Sequence, residues 1–390
     1  MLDRTPAHPI DRARVAAITA AITCVAVVGI GLSLTIPLLS IEMARMGASS
    51  TMVGINTAVS GLASILTVPF VPRLAARVGV VRLLILAIGL GALCLIGFKL
   101  LPDIGWWFVL RFVFSMTLGV LFVLSEFWIS EAAPPARRGL IMGIYATVLA
   151  IGFAIGPTLL AVLGTQGYLP YLAGTALFLI GMIPLVLARG LSPDIAGGGA
   201  RPFLGYIRLA PAATLAALVF GAAETGGFAI LPLYGMRIGY DAETAAGLVS
   251  AMALGNVMFQ IPFGWLADRI DRRIVLLTAA LGGAFASSLI PVASGSFPTL
   301  VGVLFLWGGL IGTLYTVGLA QLGASVTGAE LAGANAAFVV LYNIGLMIGP
   351  PLIGGGMDVI PPHGFAYTLV GLLLAYGGLV LWRLRMHPQP

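Results

Sequence analysis

Charged residues are scarce in this 390-residue sequence: 20 Lys and Arg and 14 Asp and Glu make up only 9% of it. A soluble domain is about one quarter charged, so this composition excludes a soluble globular protein. Cysteine is limited to two residues inside apolar runs, which excludes a disulfide framework. The three histidines lie outside those runs, and the sequence has no phosphate-binding loop, nucleophile–histidine pair or metal-ligand cluster. We therefore expect no enzymatic activity, no cofactor and no metal.

Apolar residues, in contrast, make up 59% of the chain. A helix of about 20 apolar residues crosses the roughly 30 Å hydrocarbon core of a bilayer. The sequence contains twelve apolar runs of this kind, so we predict an all-α membrane protein with twelve transmembrane helices. The predicted spans are 15–41, 51–72, 79–101, 105–130, 139–164, 168–189, 208–234, 243–266, 274–294, 298–322, 331–355 and 364–384.

Positive charge is distributed unevenly between the loops. If both termini are cytoplasmic, sixteen of the twenty Lys and Arg residues lie in cytoplasmic segments, and only Arg45, Lys99, Arg111 and Arg237 do not. Cytoplasmic loops carry an excess of Lys and Arg. We therefore predict a multi-pass protein of a bacterial-type inner membrane with both termini cytoplasmic. This orientation accounts for the net charge of +6 without a nucleic-acid partner.

The two halves of the chain repeat at a constant spacing. Gly54 and Pro69 recur 193 positions later as Gly247 and Pro262. At the same spacing, a second group recurs: Gly152, Gly156 and Pro157 correspond to Gly345, Gly349 and Pro350. Duplicated halves predict two pseudo-symmetric six-helix bundles, at 1–190 and 208–390, joined by a cytoplasmic linker at 191–207. In such proteins the substrate binds near the membrane midplane between the bundles, and access alternates between the two sides.

Several motifs resemble those of the major facilitator superfamily. The segment Gly264–Arg273, GWLADRIDRR, is similar to the cytoplasmic loop signature of that superfamily, and Glu131–Gly139 is similar to its loop between spans 4 and 5. Arg111 with Gly119 resembles its span-4 motif, and Gly152–Pro157 resembles the Gly-Pro motif of its proton antiporters. The resemblance covers nearly the whole chain and is closest to a bacterial branch of transporters without assigned substrates. It implies the two-bundle fold and alternating access.

Glu224 is a lone carboxylate inside the apolar run from Ala210 to Leu233, with no other charged residue within ten positions on either side. An ionised side chain at the bilayer midplane costs at least about 2.5–3.5 kcal/mol, and such residues are rare and usually functional. We expect Glu224 to take and release a coupling proton or to pair with a cationic substrate. The alternative is a structural carboxyl group hydrogen-bonded to a neighbouring helix.

Arg111 and Glu126 lie on one face of span 4, roughly 60° apart around the helix and about 22 Å apart along it, so they do not pair directly. The resemblance implies that Arg111 tunes the proton or substrate site. Alternatively, Arg111 binds backbone carbonyls and stabilises neighbouring spans. Glu126 belongs either to the proton and substrate site or to a cytoplasmic gate with Arg137 or Arg138.

The resemblance gives the Gly264–Arg273 loop a mechanical role. Asp268 is expected to face the N-terminus of span 5 near Arg138 and to hold the bundles together on the cytoplasmic side. The first-half copy of this loop has Ala76 where the acid should be. The other predicted gating residues are Gly264, Arg269, Arg272, Arg273, Glu131 and Arg137. Alternatively, the arginines only anchor the loop in the cytoplasm.

The Gly-Pro pairs have two interpretations. Pro157 and Pro350 cannot donate a helical hydrogen bond, so they predict bends in spans 5 and 11 that would seal the cavity against proton leak. The alternative is packing alone, because small residues four apart allow close helix approach. The glycines concerned are Gly152, Gly156, Gly345 and Gly349. Since the motif occurs in both halves, it is a weak mark of an antiporter.

Further polar residues complete the predicted proton and substrate site. They are Asn256 and Gln260 in span 8, Tyr342 and Asn343 in span 11, and Tyr145 in span 5. Each alone is more often an interhelical hydrogen bond than a ligand contact. Together with Phe220, they predict an amphipathic cavity around Glu224.

These features predict a monomeric secondary active transporter that exports small amphipathic or cationic compounds by proton-coupled alternating access, with membrane lipids as its other partner. One alternative is a proton symporter or uniporter of a neutral metabolite. Another is a non-transporting receptor or scaffold built on the same fold, and a third is movement of lipid between leaflets.

Overall fold

The computed structural model describes residues 12–134, 138–191, 211–325 and 329–386, with every side chain in them except those at 138–139, 325, 329–333 and 336. These residues contain twelve helical segments that are apolar and long enough to cross a membrane, which confirms the predicted all-α fold and its twelve spans. The predicted linker lies outside the described residues beyond Leu191, and so does Arg137. The helices are α1 (Arg12–Arg45), α2 (Ser50–Thr67), α3 (Val80–Leu100), α4 (Ile104–Ala132), α5 (Arg138–Leu163), α6 (Leu169–Leu187), α7 (Pro211–Arg237), α8 (Ala242–Ala267), α9 (Arg272–Ala293), α10 (Phe297–Ser325), α11 (Ala329–Val359) and α12 (Gly364–Met386).

The second span is not one uninterrupted α-helix. α2 ends at Thr67, and the chain continues through a 3₁₀ turn at Val68–Phe70 into a short helix at Val71–Val78. A proline stands in the first two positions of each of these segments, where a missing N–H costs little. Gly79 ends the short helix with φ of 92°, a left-handed conformation that glycine adopts without strain.

Aspartates cap α8 and α9 at their N-termini, where the first N–H groups of a helix have no intrahelical acceptor. Asp241 accepts from the N–H of Thr244 at 2.7 Å, and Asp271 accepts from the N–H of Arg273 at 2.9 Å. The hydrogen bonds from Thr244 lower the pKa of Asp241. Partial burial opposes the shift at Asp271, but the hydrogen bonds from Arg273 outweigh it and lower the pKa of Asp271.

The described residues form two compact units. The first contains the chain up to Ser33, Leu66–Gly156 and the residues from Tyr168 to Leu191. The second contains Leu34–Ile65, Pro157–Gly167 and all described residues from Pro211 onward. The second unit therefore includes the C-terminal ends of α1 and α5 and most of α2, together with α7 to α12.

Within the second unit, α7 is the most buried of the spans, and glycines set its neighbours close to it. A Cβ at Gly221 would collide with the backbone oxygen of Tyr342, and a Cβ at Gly345 would collide with the backbone oxygen of Leu218. α8 and α10 approach each other in the same way, because a Cβ at Gly308 would collide with the backbone of α8. Small residues at such contacts allow membrane helices to pack backbone to backbone.

Candidate proton and substrate site

Glu224 lies on α7 and accepts hydrogen bonds from two neighbouring helices. Asn256 Nδ2 on α8 donates to Oε1 at 3.2 Å, and the Tyr342 hydroxyl on α11 donates to Oε2 at 3.0 Å. One turn further along α8, Gln260 Nε2 donates to Oδ1 of Asn256 at 3.2 Å. The structure thus joins four of the predicted site residues in one chain of hydrogen bonds, Gln260–Asn256–Glu224–Tyr342.

The glycine contacts explain why these side chains meet. Gly221 lies one turn before Glu224 on α7, and its close contact with Tyr342 brings the tyrosine hydroxyl within reach of the carboxylate. Gly312 on α10 faces Asn256, and a Cβ at Gly312 would collide with the Asn256 side chain. The absence of a side chain at both glycines therefore leaves room for Asn256 and Tyr342 to converge on Glu224.

No cation neutralises Glu224 among the described residues, since both of its hydrogen-bond donors are neutral and none of the ion pairs includes it. Glu224 and Asn256 are half-buried, whereas Gln260 is exposed. The hydrogen-bonded chain therefore runs from the buried helix α7 to an accessible amide on α8.

An aromatic cluster, defined here as Phe220, Tyr315, Phe338 and Tyr342, adjoins the carboxylate. The Tyr342 ring stacks on Phe220 with centroids 5.7 Å apart and planes 25° apart. Tyr315 contacts the other three rings at centroid distances of 5.1 to 5.9 Å. Beneath them lies a buried group of small and aliphatic residues from α7, α10 and α11. Sequence reasoning missed Tyr315, because a lone tyrosine in a predicted span has no spacing pattern to mark it.

The remaining predicted site residues do not join this hydrogen-bonded chain. Asn343 donates to the backbone oxygen of Val339 in its own helix at 2.8 Å. Arg111 and Tyr145 belong to the first unit and are 2% and 5% exposed, and the Tyr145 hydroxyl lies 3.0 Å from that of Ser125. Glu126, also in the first unit, is exposed. Their roles in a common site stay predictions.

The Gly264–Arg273 loop makes local contacts. The Asp268 side chain is 74% exposed and pairs with Arg272 at 3.4 Å. Arg269 stacks on Trp265 at 3.4 Å from the ring centroid, and Arg273 pairs with Asp271 at 2.9 Å. A Cβ at Gly264 would meet nothing within 4 Å. Glu131 is exposed at the end of α4, whereas Arg137 and the side chain of Arg138 are outside the described part of the chain. The cytoplasmic contact predicted for Asp268 therefore stays a prediction.

Both Gly-Pro motifs lie inside helices that continue past the proline, α5 and α11. Gly152 packs against α1, where the Ser33 hydroxyl donates to the Gly152 oxygen at 2.9 Å. Gly345 and Gly349 pack against the backbone of α7, and Gly54 on α2 packs against that of Pro350. Gly156 and Pro157 are buried. These contacts favour the packing interpretation, and the sealing bend stays a prediction.

The Major Facilitator Superfamily matches this chain over residues 21–255 and again over residues 213–390. The chain therefore belongs to this family of membrane transporters, as the motifs predicted. The MFS-type transporter YfkF of Bacillus subtilis (strain 168) is 24% identical over 354 residues, which cover 88% of this chain and 90% of YfkF.

Solved structures of transporters share the fold. The crystal structure of the nucleoside transporter NupG matches with a TM-score of 0.76 and 12% identity, over 97% of this chain and 100% of NupG. A bacterial homologue of the human lysosomal transporter Spinster, in an inward-facing and occupied conformation, matches with a TM-score of 0.79 and 12% identity, over 97% of this chain and 98% of that one. At these identities the likeness concerns the fold alone.

Proposed function

We propose that this transporter exports small amphipathic or cationic compounds in exchange for protons by alternating access, and that Glu224 carries the exchange. The observation that supports this proposal is a half-buried carboxylate in the middle of a transmembrane helix, bound by two neutral donors and by no cation among the described residues. A carboxylate in such surroundings is rarely retained without a function.

The two donors suit a group that changes its protonation state. The ionised carboxylate accepts from Asn256 and Tyr342. A protonated carboxyl group must donate one hydrogen bond, and the Tyr342 hydroxyl can rotate to accept it, since a hydroxyl is both donor and acceptor. Asn256 continues to donate to the other carboxyl oxygen. Both states of Glu224 are thus hydrogen-bonded without moving a helix.

The aromatic cluster supports a cationic substrate. Faces of Phe, Tyr and Trp rings attract organic cations, and this attraction is strongest where water is excluded. In the same place a carboxylate supplies the opposite charge. A proton and a cationic substrate would then compete for Glu224, and such competition couples proton entry to substrate release.

A neutral substrate is the alternative candidate, as in a proton symporter or uniporter. The exposed Gln260 amide, hydrogen-bonded to Asn256, supports it, because amides donate and accept hydrogen bonds with uncharged polar molecules. NupG, which shares this fold, is a nucleoside transporter, so a nucleoside is the probe for this alternative.

We also propose the orientation and the gating that the sequence predicts. The termini lie on the cytoplasmic side of a bacterial-type inner membrane, and the monomer consists of bundles 1–190 and 208–390. The Gly264–Arg273 loop, with Glu131, Arg137 and Arg138, closes the cytoplasmic side. The exposed side chains of Asp268 and Arg269 support this role. Arg111 and Glu126 act on the proton and substrate site from α4.

The test is transport by purified protein in proteoliposomes under an imposed pH gradient. Tetraphenylphosphonium serves as the cationic probe and uridine as the neutral one. We expect tetraphenylphosphonium to move against proton flow in wild type, and the Glu224→Gln variant to lose both this movement and its pH dependence. Uptake of uridine with protons would favour the symporter. Unchanged flux in Glu224→Gln would exclude Glu224 from the mechanism.

A further inference from the structure

Two clusters of polar residues lie at the membrane face opposite the termini, where α1, α5, α7 and α11 end and α2 and α8 begin. The first, the Thr165 clamp, consists of Arg45, Thr165 and Glu243. Arg45 donates to the backbone and hydroxyl oxygens of Thr165 at 2.8 and 2.7 Å. Thr165 in turn donates from its N–H and its hydroxyl to Oε1 of Glu243 at 3.1 and 2.9 Å.

The second cluster, the Asp358 clamp, consists of Arg237, Asp358, Ser50 and Thr51. Asp358 accepts from the N–H of Ser50 at 3.2 Å and from the N–H and hydroxyl of Thr51 at 2.8 and 2.7 Å. Arg237 forms an ion pair with Asp358 at 2.9 Å and donates to the Ser50 hydroxyl at 2.8 Å. A carboxylate from α11 thus caps the N-terminus of α2, where free N–H groups and the helix dipole favour negative charge.

The internal repeat relates the two clamps to each other. Thr165 and Ser50 correspond, 193 positions later, to Asp358 and Glu243. Arg45 and Gly47 correspond, 192 positions later, to Arg237 and Gly239, and both glycines have positive φ, 86° and 103°. The first clamp joins α1 and α5 to α8, and the second joins α7 and α11 to α2. Each therefore ties helices of one half of the sequence to a helix of the other half.

We propose that the two clamps are a duplicated gate that closes the face opposite the termini, and that the Asp358 clamp is the stronger copy. Four hydrogen bonds cross between the sequence halves in the Asp358 clamp, three of them to a carboxylate and one from a guanidinium. Two cross in the Thr165 clamp. Opening this face requires all six to break. Neither proton coupling nor Glu224 enters this inference.

The experiment measures cysteine accessibility beneath the gate. Ser250 on α8 contacts Thr158 on α5, hydroxyl to hydroxyl at 3.2 Å, so a Ser250→Cys variant reports separation of these helices. Native Cys24 and Cys94 are buried, and their background labelling is measured in the protein without Ser250→Cys. A membrane-impermeant maleimide is added separately to right-side-out and inside-out vesicles, so that each face is probed alone.

With Asp358→Asn, we expect labelling from the face opposite the termini to rise about tenfold, a change of about 1.4 kcal/mol in the gate equilibrium. With Glu243→Gln, a smaller rise of about threefold is expected, because that clamp makes fewer crossing bonds. Asp241→Asn is the matched control. It removes a carboxylate two residues from Glu243 that caps only its own helix, and it should leave labelling unchanged.

Thermal melting separates opening from misfolding. If Asp358→Asn does not give folded protein, Thr51→Val replaces it, since it removes one crossing bond and keeps the side-chain shape. Unchanged labelling in a folded Asp358 or Thr51 variant would overturn the gate. A rise only from the face that bears the termini would overturn it as well. Equal rises for the Asp358 and Glu243 variants would leave a gate but contradict the order of strength.

Discussion

The Tyr342 hydroxyl donates to Oε2 of Glu224 at 3.0 Å and so connects α11 to α7 through the one carboxylate in α7. The Tyr342 ring also stacks on Phe220 of α7. Tyr342 therefore contributes to the site in two ways, by a hydrogen bond to the charged group and by an aromatic surface beside it. Substitutions at this residue can separate the two contributions.

Tyr342→Phe removes the hydrogen bond and keeps the ring. A hydrogen bond to a charged group contributes about 1.5–3 kcal/mol, so we expect tetraphenylphosphonium transport to fall at least about tenfold. The measurement is initial flux in proteoliposomes. Tyr367→Phe, at a tyrosine 49% exposed on α12, is the matched control and should transport at the wild-type rate. Full activity in Tyr342→Phe would show that the hydroxyl is dispensable.

The two amides of α8 are expected to act as a coupled pair. Asn256→Ala leaves Oε1 of Glu224 without its donor, whereas Gln260→Ala only releases the amide that orients Asn256. We therefore expect the Asn256 variant to lose more transport than the Gln260 variant. The Gln260 substitution should have little further effect once Asn256 is absent, because residues in one hydrogen-bonded chain are not additive. Flux of the two single variants and the double variant tests this, and additive losses would disprove the coupling.

Hydropathy alone predicts the twelve spans, because the length of an apolar run is a local property. Glu224 is conspicuous for the same reason, as a single charge in such a run. Its partners were predicted only as a set, since nothing local says which of Asn256, Tyr342 and Asn343 faces it. Tyr342 does and Asn343 does not, although they are adjacent in sequence, because successive residues point about 100° apart around a helix.

The clamps show a different limit of sequence reasoning. Three clamp residues lie at the ends of spans: Arg45, Glu243 and Asp358. Charged residues are expected there beside water, so their positions alone do not indicate a functional site. Only the folded chain brings Asp358 to the N-terminus of α2, more than 300 positions away in sequence. The signal that could have found them is the repeat itself, which pairs Arg45 with Arg237 and Thr165 with Asp358.

Close packing of α7 against α11 predicts a cost for small side chains. Gly345→Ala places a methyl group against the backbone oxygen of Leu218, and overpacking of this kind costs about 1–3 kcal/mol. We expect a lower melting temperature and, because α11 carries Tyr342, weaker transport. Gly371→Ala on α12 is the control, because a Cβ at this position would have no neighbour within 4 Å. The melting temperature of this variant should stay the same or rise. A neutral Gly345→Ala would contradict the close approach of the two helices.

The lowered pKa of Asp271 predicts in which direction the stability of the protein changes with pH. Its hydrogen bonds from Arg273 lower the folded pKa below the unfolded value of about 3.9, so the stabilisation is present above that pH and is lost as pH falls through the folded pKa. Asp271→Asn keeps an acceptor for the α9 N-terminus but removes the charge that Arg273 binds at 2.9 Å. The variant should therefore melt below wild type at pH 7, and the difference should shrink as the pH is lowered through the acid range below about 3.9.

Asp268→Asn is the comparison for this experiment, because its side chain is 74% exposed and its pair with Arg272 is longer, at 3.4 Å. Exposed ion pairs contribute little, so its melting temperature should match wild type at every pH. The measurement is the melting temperature of wild type, Asp271→Asn and Asp268→Asn in one detergent, from pH 7 downward. A difference between Asp271→Asn and wild type that persisted undiminished in acid would mean that the carboxylate charge is not what stabilises the start of α9.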